Sequence, residues 1–214
     1  MIIETQETKQ LIEGFFNGED DKTNALISLY YKFVYYNCLR ITRDADAAQD
    51  LTQDSFVRVY KYRETYDKKY KFSNWLLKIS SNVCMDFLRQ RGKDRVKVLY
   101  IEAIEAGAGS INDLKKFLID EKAEIEMNEK FEKNLLKDLI GLLPAIYRVT
   151  VILKYYNDLK YEEISKILNI PVGTAKFRIN RAIGIITKLF ALTAERRTRI
   201  AETANRQKIN KGSE

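Results

Sequence analysis

The sequence predicts an all-α protein with two helical domains, and three observations carry that prediction. Apolar residues recur at three- and four-residue spacing through most of the chain, the period of an amphipathic helix. Only 9 Gly and 2 Pro occur in 214 residues, so long helices run uninterrupted. Residues 160–183, KYEEISKILNIPVGTAKFRINRAI, read as a helix-turn-helix. In its first helix Ile164, Ile167 and Leu168 form one apolar face, and the chain turns through Asn169, Ile170 and Pro171. In its second, Ala175, Ile179, Ala182 and Ile183 are expected inward and Lys176, Arg178, Asn180 and Arg181 outward. A helix carrying those donors has the size and chemistry to enter a DNA major groove.

The first helical block spans about residues 8–91. Leu26, Ile27, Leu29, Tyr30, Phe33 and Val34 make a dense apolar helix ending near Arg40, and Asp44 or Asp46 can cap the next long helix. A polar interruption, RETYDKKYK, precedes a third helix, FSNWLLKISSNVCMDFLRQR, in which Phe72, Leu76, Ile79, Val83 and Phe87 share a stripe. Three helices with such stripes bury a common core. From 92 to 128 the pattern weakens around AGAGS, a linker with some docked or transient helix. The second block, 129–190, opens with Phe131, Leu135, Leu136, Leu139 and Leu142 at helical spacing and closes with the helix-turn-helix. Residues 191–214 form a basic extension, expected to be solvated or frayed.

Composition narrows the chemistry. The chain carries 37 Lys and Arg against 30 Asp and Glu, a net charge of +7 that favours an anionic partner. With no His there is no imidazole acid–base catalysis and no His-containing metal site. Cys38 and Cys84 lie far apart among apolar neighbours, without a CxxC pattern, and read as buried reduced thiols. The first residues lack the basic and apolar regions of a signal peptide, and no segment approaches the roughly 20 apolar residues of a membrane span. A soluble cytoplasmic protein is expected, with no catalytic residues, metal or cofactor.

Two segments in this order carry a family resemblance. AAQDLTQDSFVRVYKY followed by FSNWLLKISSNVCMDFLRQR resembles region 2 of bacterial RNA polymerase sigma factors, and LPAIYRVTVILKYYNDLKYEEISKILNIPVGTAKFRINRAI resembles their region 4. Two such domains joined only by a linker look like the extracytoplasmic-function group of the sigma-70 family. The resemblance implies an alternative sigma factor that binds core RNA polymerase, opens the −10 element with the first domain and recognises the −35 element with the second. It implies no catalysis by the chain itself, and the family commonly pairs with an anti-sigma factor. The competing reading is a helix-turn-helix regulator that never touches polymerase.

Site residues follow from both lines of reasoning. Asp50, Gln53 and Asp54 fall at i, i+3 and i+4 on one helix face, which is either a solvated acidic surface or, as the resemblance implies, the face that meets polymerase. The loop Tyr66-Asp67-Lys68-Lys69-Tyr70-Lys71-Phe72 interleaves aromatics with cations, a mixture that suits single-stranded DNA because aromatics stack on splayed bases while Lys neutralises phosphate. Tyr66 and Tyr70 stack on bases or cover the core, whereas Phe72 belongs to the core. On the third helix Lys78, Asn82, Met85 and Arg89 trace a second face, with Lys78, Arg89 and Arg91 read as phosphate contacts. Asn82 and Asp86 match positions where this family usually carries Asn and Asp, while Leu77 replaces a residue that is often aromatic. For the −35 element the resemblance nominates Thr174, Lys176, Phe177, Arg178, Asn180 and Arg181, with Arg148 adding a backbone contact. Arg178 and Arg181 either pair with guanine or grip phosphate. Phe177 either meets a thymine methyl or packs on the preceding helix, and Thr174 either binds phosphate or caps its helix. Lys160 stands where Ser or Thr often precedes the first helix, which weakens that cap.

Overall fold

The computed structural model describes residues 5–91 and 130–211. Eight α-helices make up the described residues, and there is no strand among them. The linker 92–128 lies outside the described residues.

Local chemistry sets the early boundaries. The Thr5 hydroxyl caps α1 (Gln6–Asn17) by accepting the Thr8 N–H at 3.3 Å, and Gly18 ends it in the left-handed conformation at φ 79°. α2 (Asp20–Thr42) stops at Arg43, also left-handed, at φ 63°. Of the two candidate caps for α3 (Ala45–Lys61), Asp44 serves, accepting the Ala47 N–H at 3.0 Å. That bond lowers the Asp44 carboxyl pKa, and Arg91, whose guanidinium lies 3.0 Å away, lowers it further. A short 3-10 turn, Arg63–Thr65, leads through the Tyr66–Lys71 loop into α4 (Phe72–Gln90).

The core of this bundle follows the predicted stripes with one reversal: Leu29 is 43 % exposed, while Ile27, Phe33, Ile79 and Phe87 are half-buried at its edge. Leu26, Tyr30, Val34, Cys38 and Ile41 of α2 face Leu51 and Val59 of α3 and Phe72, Leu76, Val83 and Cys84 of α4, all buried. Each such side chain is worth roughly 1.5–3 kcal/mol of burial. Phe72 sits at the centre of an aromatic cluster, with ring centroids 5.4 Å from Tyr30, 5.5 Å from Tyr66 and 6.2 Å from Phe15. Small side chains at Ala48, Ser55, Ser80 and Ser81 keep the helices close, and the buried Asn37 amide bridges α2 to α4 by donating to the Ser80 hydroxyl at 3.0 Å. Cys38 and Cys84 are free and buried, as expected.

The remaining helices are α5 (Lys130–Leu142), α6 (Ala145–Val151), α7 (Tyr161–Leu168) and α8 (Val172–Lys211). A π-helical turn, Ile152–Tyr156, extends α6, with the Asn157 N–H reaching back to the Ile152 carbonyl at 3.2 Å. The chain packs as two compact units, neither of them continuous in sequence: Met1–Asp94 with Pro144–Ile179, and Arg95–Leu143 with Asn180–Glu214. In the first, Ala145, Val149, Ile152, Leu153, Ile164 and Ile167 join the core built by α1 to α4. In the second, Leu135, Leu139, Ile140 and Leu143 are buried, as are Ala182, Ile185 and Leu189 of α8.

Several expectations change. Leu136 is 59 % exposed, so the α5 stripe runs through Ile140 instead. Ile183 is 42 % exposed and Ile185 takes the inward place. At about 100° per residue Ile183 lies roughly 80° from the direction of Ala175, at the edge of the apolar stripe rather than inside it. The extension beyond 190 is helical to Lys211, without Gly or Pro to stop it.

Candidate nucleic-acid and partner interfaces

The acidic face of α3 is solvent-facing. Asp50, Gln53 and Asp54 are all exposed, while Ala47, Ala48, Leu51, Thr52, Ser55 and Val59 occupy the buried side. Neither Asp50 nor Asp54 has an ion pair among the described residues, so both charges are available to a partner. Val57 extends the same face by one turn and is 66 % exposed, an apolar side chain that sequence reasoning missed. Its signal was spacing: 50, 53, 54 and 57 are neighbours on a helical surface.

The loop before α4 is divided between core and solvent. Tyr66 is half-buried, stacked on Phe16 with centroids 5.3 Å apart, and its hydroxyl donates to the Tyr70 carbonyl at 2.7 Å. It therefore holds the loop, and the exposed Lys68, Lys69 and Tyr70 are its outward groups. Trp75 packs against the core 5.5 Å from Phe72. Tyr70 is engaged from the same unit: the Lys166 ammonium of α7 lies 4.4 Å above its ring and donates to its hydroxyl at 3.1 Å. Beside it the Asn74 amide donates to the Glu163 carboxylate at 2.8 Å.

Along α4, Lys78, Asn82 and Arg89 are exposed in one line. Met85, expected with them, is 7 % exposed and belongs to the core. Leu77 is buried at 2 %, so no base can stack on it. Asp86 anchors the Arg89 guanidinium at 3.1 Å and lies 3.8 Å from that of Arg58. Arg91 pairs with Asp44 and lies 4.5 Å over the Phe87 ring, which fixes its position near the helix end.

The helix-turn-helix comprises α7 and the start of α8. Lys160 has no side-chain acceptor for the helix, but the Glu163 carboxylate accepts the Lys160 N–H at 2.8 Å, half of a capping box. Asn169 closes α7 in the left-handed conformation at φ 51°, and Ile164, Ile167, Ala175 and Ile179 are buried. Lys176, Phe177 and Asn180 are exposed, Phe177 at 61 %, which decides against its packing on the preceding helix. Thr174 and Arg181 are half-buried. Arg178 is also half-buried: burial lowers its pKa and the neighbouring Arg89 adds to that, while Tyr147 opposes it. Arg148 is 1 % exposed, so the expected backbone contact does not fit its placement. Ala145, Val149 and Ile152 around it in the chain are buried as well, and a guanidinium held at that depth cannot meet a phosphate. There is no cluster of His, Cys, Asp and Glu able to hold a metal among the described residues, nor a helix there long and apolar enough to cross a membrane.

Comparison with known proteins matches these two regions separately. Residues 26–94 match the Sigma-70 region 2 family and residues 133–184 match the family Sigma-70, region 4. The chain is 32 % identical over 179 residues to the ECF RNA polymerase sigma factor SigW of Bacillus subtilis (strain 168), covering 81 % of this chain and 91 % of that one. It is 26 % identical over 191 residues to the RNA polymerase sigma-H factor of Pseudomonas aeruginosa, covering 87 % and 95 %. Among solved structures it resembles CnrH in complex with the cytosolic domain of CnrY, with a TM-score of 0.58 at 16 % identity, covering 87 % of this chain and 98 % of that one. The sigma factor RpoE in complex with the anti-sigma factor NepR from Bartonella quintana gives 0.53 at 17 % identity, covering 78 % and 96 %. At those identities the two structures speak to the fold alone.

Proposed function

The chain belongs to the sigma-70 family, in its extracytoplasmic-function group, and from that premise we propose how its residues divide the work of an alternative sigma factor that binds core RNA polymerase and directs promoter recognition. Asp50, Gln53 and Asp54 form the polymerase-binding face, with Val57 as its apolar neighbour. The loop and α4, through Lys68, Lys69, Tyr70, Lys78, Asn82, Arg89 and Arg91, take the melted −10 strand, and Tyr66 braces the loop from behind. The start of α8, through Thr174, Lys176, Phe177, Arg178, Asn180 and Arg181, takes the −35 duplex. Residues 8–91 and 129–190 act as the two reading domains, joined by 92–128. The chain performs no catalysis; polymerase supplies the chemistry, in the cytoplasm where polymerase resides. An anti-sigma factor is the expected regulatory partner.

The observation that carries this reading is the order of the two matched regions, with an exposed acidic face on the first and an exposed reading helix on the second. A regulator acting without polymerase has no use for an aromatic–lysine loop beside a set of outward cations. Run-off transcription with core polymerase on host genomic DNA tests the assignment. New discrete start sites dependent on the protein are expected. Duplex binding without any transcript would return the chain to the regulator class.

A further inference from the structure

Two glycines on α8 lack any reason inside the protein. Gly173 and Gly184 sit in ordinary helical backbone, since Gly18 is the glycine with positive φ among the described residues. A Cβ added at either would meet nothing within 4 Å, so close packing does not require them. A glycine inside a helix is less stable than alanine by about 1 kcal/mol. A remaining physical reason for such a residue is close approach by something outside the chain.

The two positions are eleven residues apart, which at about 100° per residue returns to within roughly 20° of the same direction. Phe177 and Asn180 lie between them on that side, both exposed, Phe177 at 61 %. Arg178 points about 140° away from Gly173 by the same geometry and is half-buried. The outward stripe of the reading helix is therefore glycine, aromatic, amide, glycine, flanked by the exposed Lys176 on one side and the half-buried Arg181 on the other.

We propose that Gly173, Phe177, Asn180 and Gly184 form the base-reading stripe, with Phe177 against the 5-methyl of a thymine and Asn180 paired with the N6 and N7 edge of an adenine. The inference rests on the −35 assignment above and supplies its base chemistry. Thymine is the base that offers a methyl in the major groove, and an amide pairs bidentately with adenine there. Three residues along a helix span about 4.5 Å, close to the 3.4 Å rise of one base step, so the two bases belong to the same or neighbouring base pairs. The glycines let the helix axis sink further into the groove than alanine would. Arg178 is left to orient the helix rather than to read guanine.

The test uses holoenzyme on a promoter defined by the run-off experiment, resynthesised with single replacements across the −35 element. Deoxyuridine for thymine removes only the methyl, and 7-deazaadenine for adenine removes only N7. One thymine is expected whose replacement weakens binding about fourfold, the worth of one buried methyl. Phe177→Ala should lose the same amount and become indifferent to that replacement. One adenine should show about a tenfold loss that Asn180→Ala likewise abolishes. Gly184→Ala should raise the melting temperature while weakening binding. Wild-type binding indifferent to every replacement, or variants that keep the full sensitivity, overturns the stripe while leaving the −35 assignment standing. Absence of any dependent start site overturns that assignment, and the stripe with it.

Discussion

Charge reversal on α3, Asp50→Lys with Asp54→Lys, separates polymerase binding from folding. Both carboxylates are exposed, lie on the face opposite Leu51 and Val59, and have no ion pair among the described residues. Removing them leaves no buried group without a partner, and Lys is a better helix former than Asp. The melting temperature should therefore move by no more than about 1–2 °C. Two reversals raise the net charge from +7 to +11, two units at each site, so non-specific DNA affinity rises rather than falls. Against a cationic partner surface each side chain changes from attraction to repulsion. A combined penalty of about 3 kcal/mol corresponds to a Kd weakened on the order of a hundredfold. Fluorescence anisotropy of labelled protein titrated with core polymerase reads that change, and repeating it at high salt should shrink the difference because the charges are exposed. A double variant with unchanged Tm and unchanged polymerase affinity would refute the assignment of this face.

Two further outcomes follow from the fold. Asp44→Ala removes the cap of α3 and should cost about 1 kcal/mol at neutral pH, read by chemical denaturation. Because the Asp44 carboxyl is held below its unfolded value, its stabilisation is present above about pH 4 and fades as pH falls through the lowered folded pKa; the variant and the parent should converge there. Phe72→Ala empties the centre of the aromatic cluster and should cost about 3–5 kcal/mol, seen as a lower denaturation midpoint; a loss below 1 kcal/mol would mean that the cluster is not the centre of the core.

The helices and the first core were legible because they rest on periodicity and caps, which are local. Phe72 needed no tertiary information, whereas the choice of Asp44 over Asp46 and the outward turn of Leu29 did. Arg148 did too: a charged side chain in a helix reads as outward, and its burial depends on which elements close over it. The π-helical turn at Ile152–Tyr156 was invisible for a similar reason, since one shifted hydrogen bond leaves no mark on composition. Ile183 and Ile185 both fit an apolar pattern, and only the packing distinguishes them. The sequence fits Phe177 in either direction, and its exposure in the fold decides between them. Spacing alone defines the acidic face, whereas the exposure of Val57 on that face depends on tertiary packing that an apolar residue does not announce.

The contact between Lys166 and Tyr70 makes one aromatic face serve two claimants. A ring with an ammonium 4.4 Å above it and a hydroxyl accepting from that ammonium has no open face for a nucleobase on that side. In the proposed role a melted strand and α7 are rival ligands of the same tyrosine. At an exposed site such a cation–π contact is worth about 0.5–1 kcal/mol, so displacing α7 reduces the strand's apparent affinity by roughly two- to fivefold. The Asn74–Glu163 hydrogen bond adds to the same toll. In that proposed role, a partner that draws α7 away returns that free energy to the DNA, and so strengthens −10 binding without touching a base.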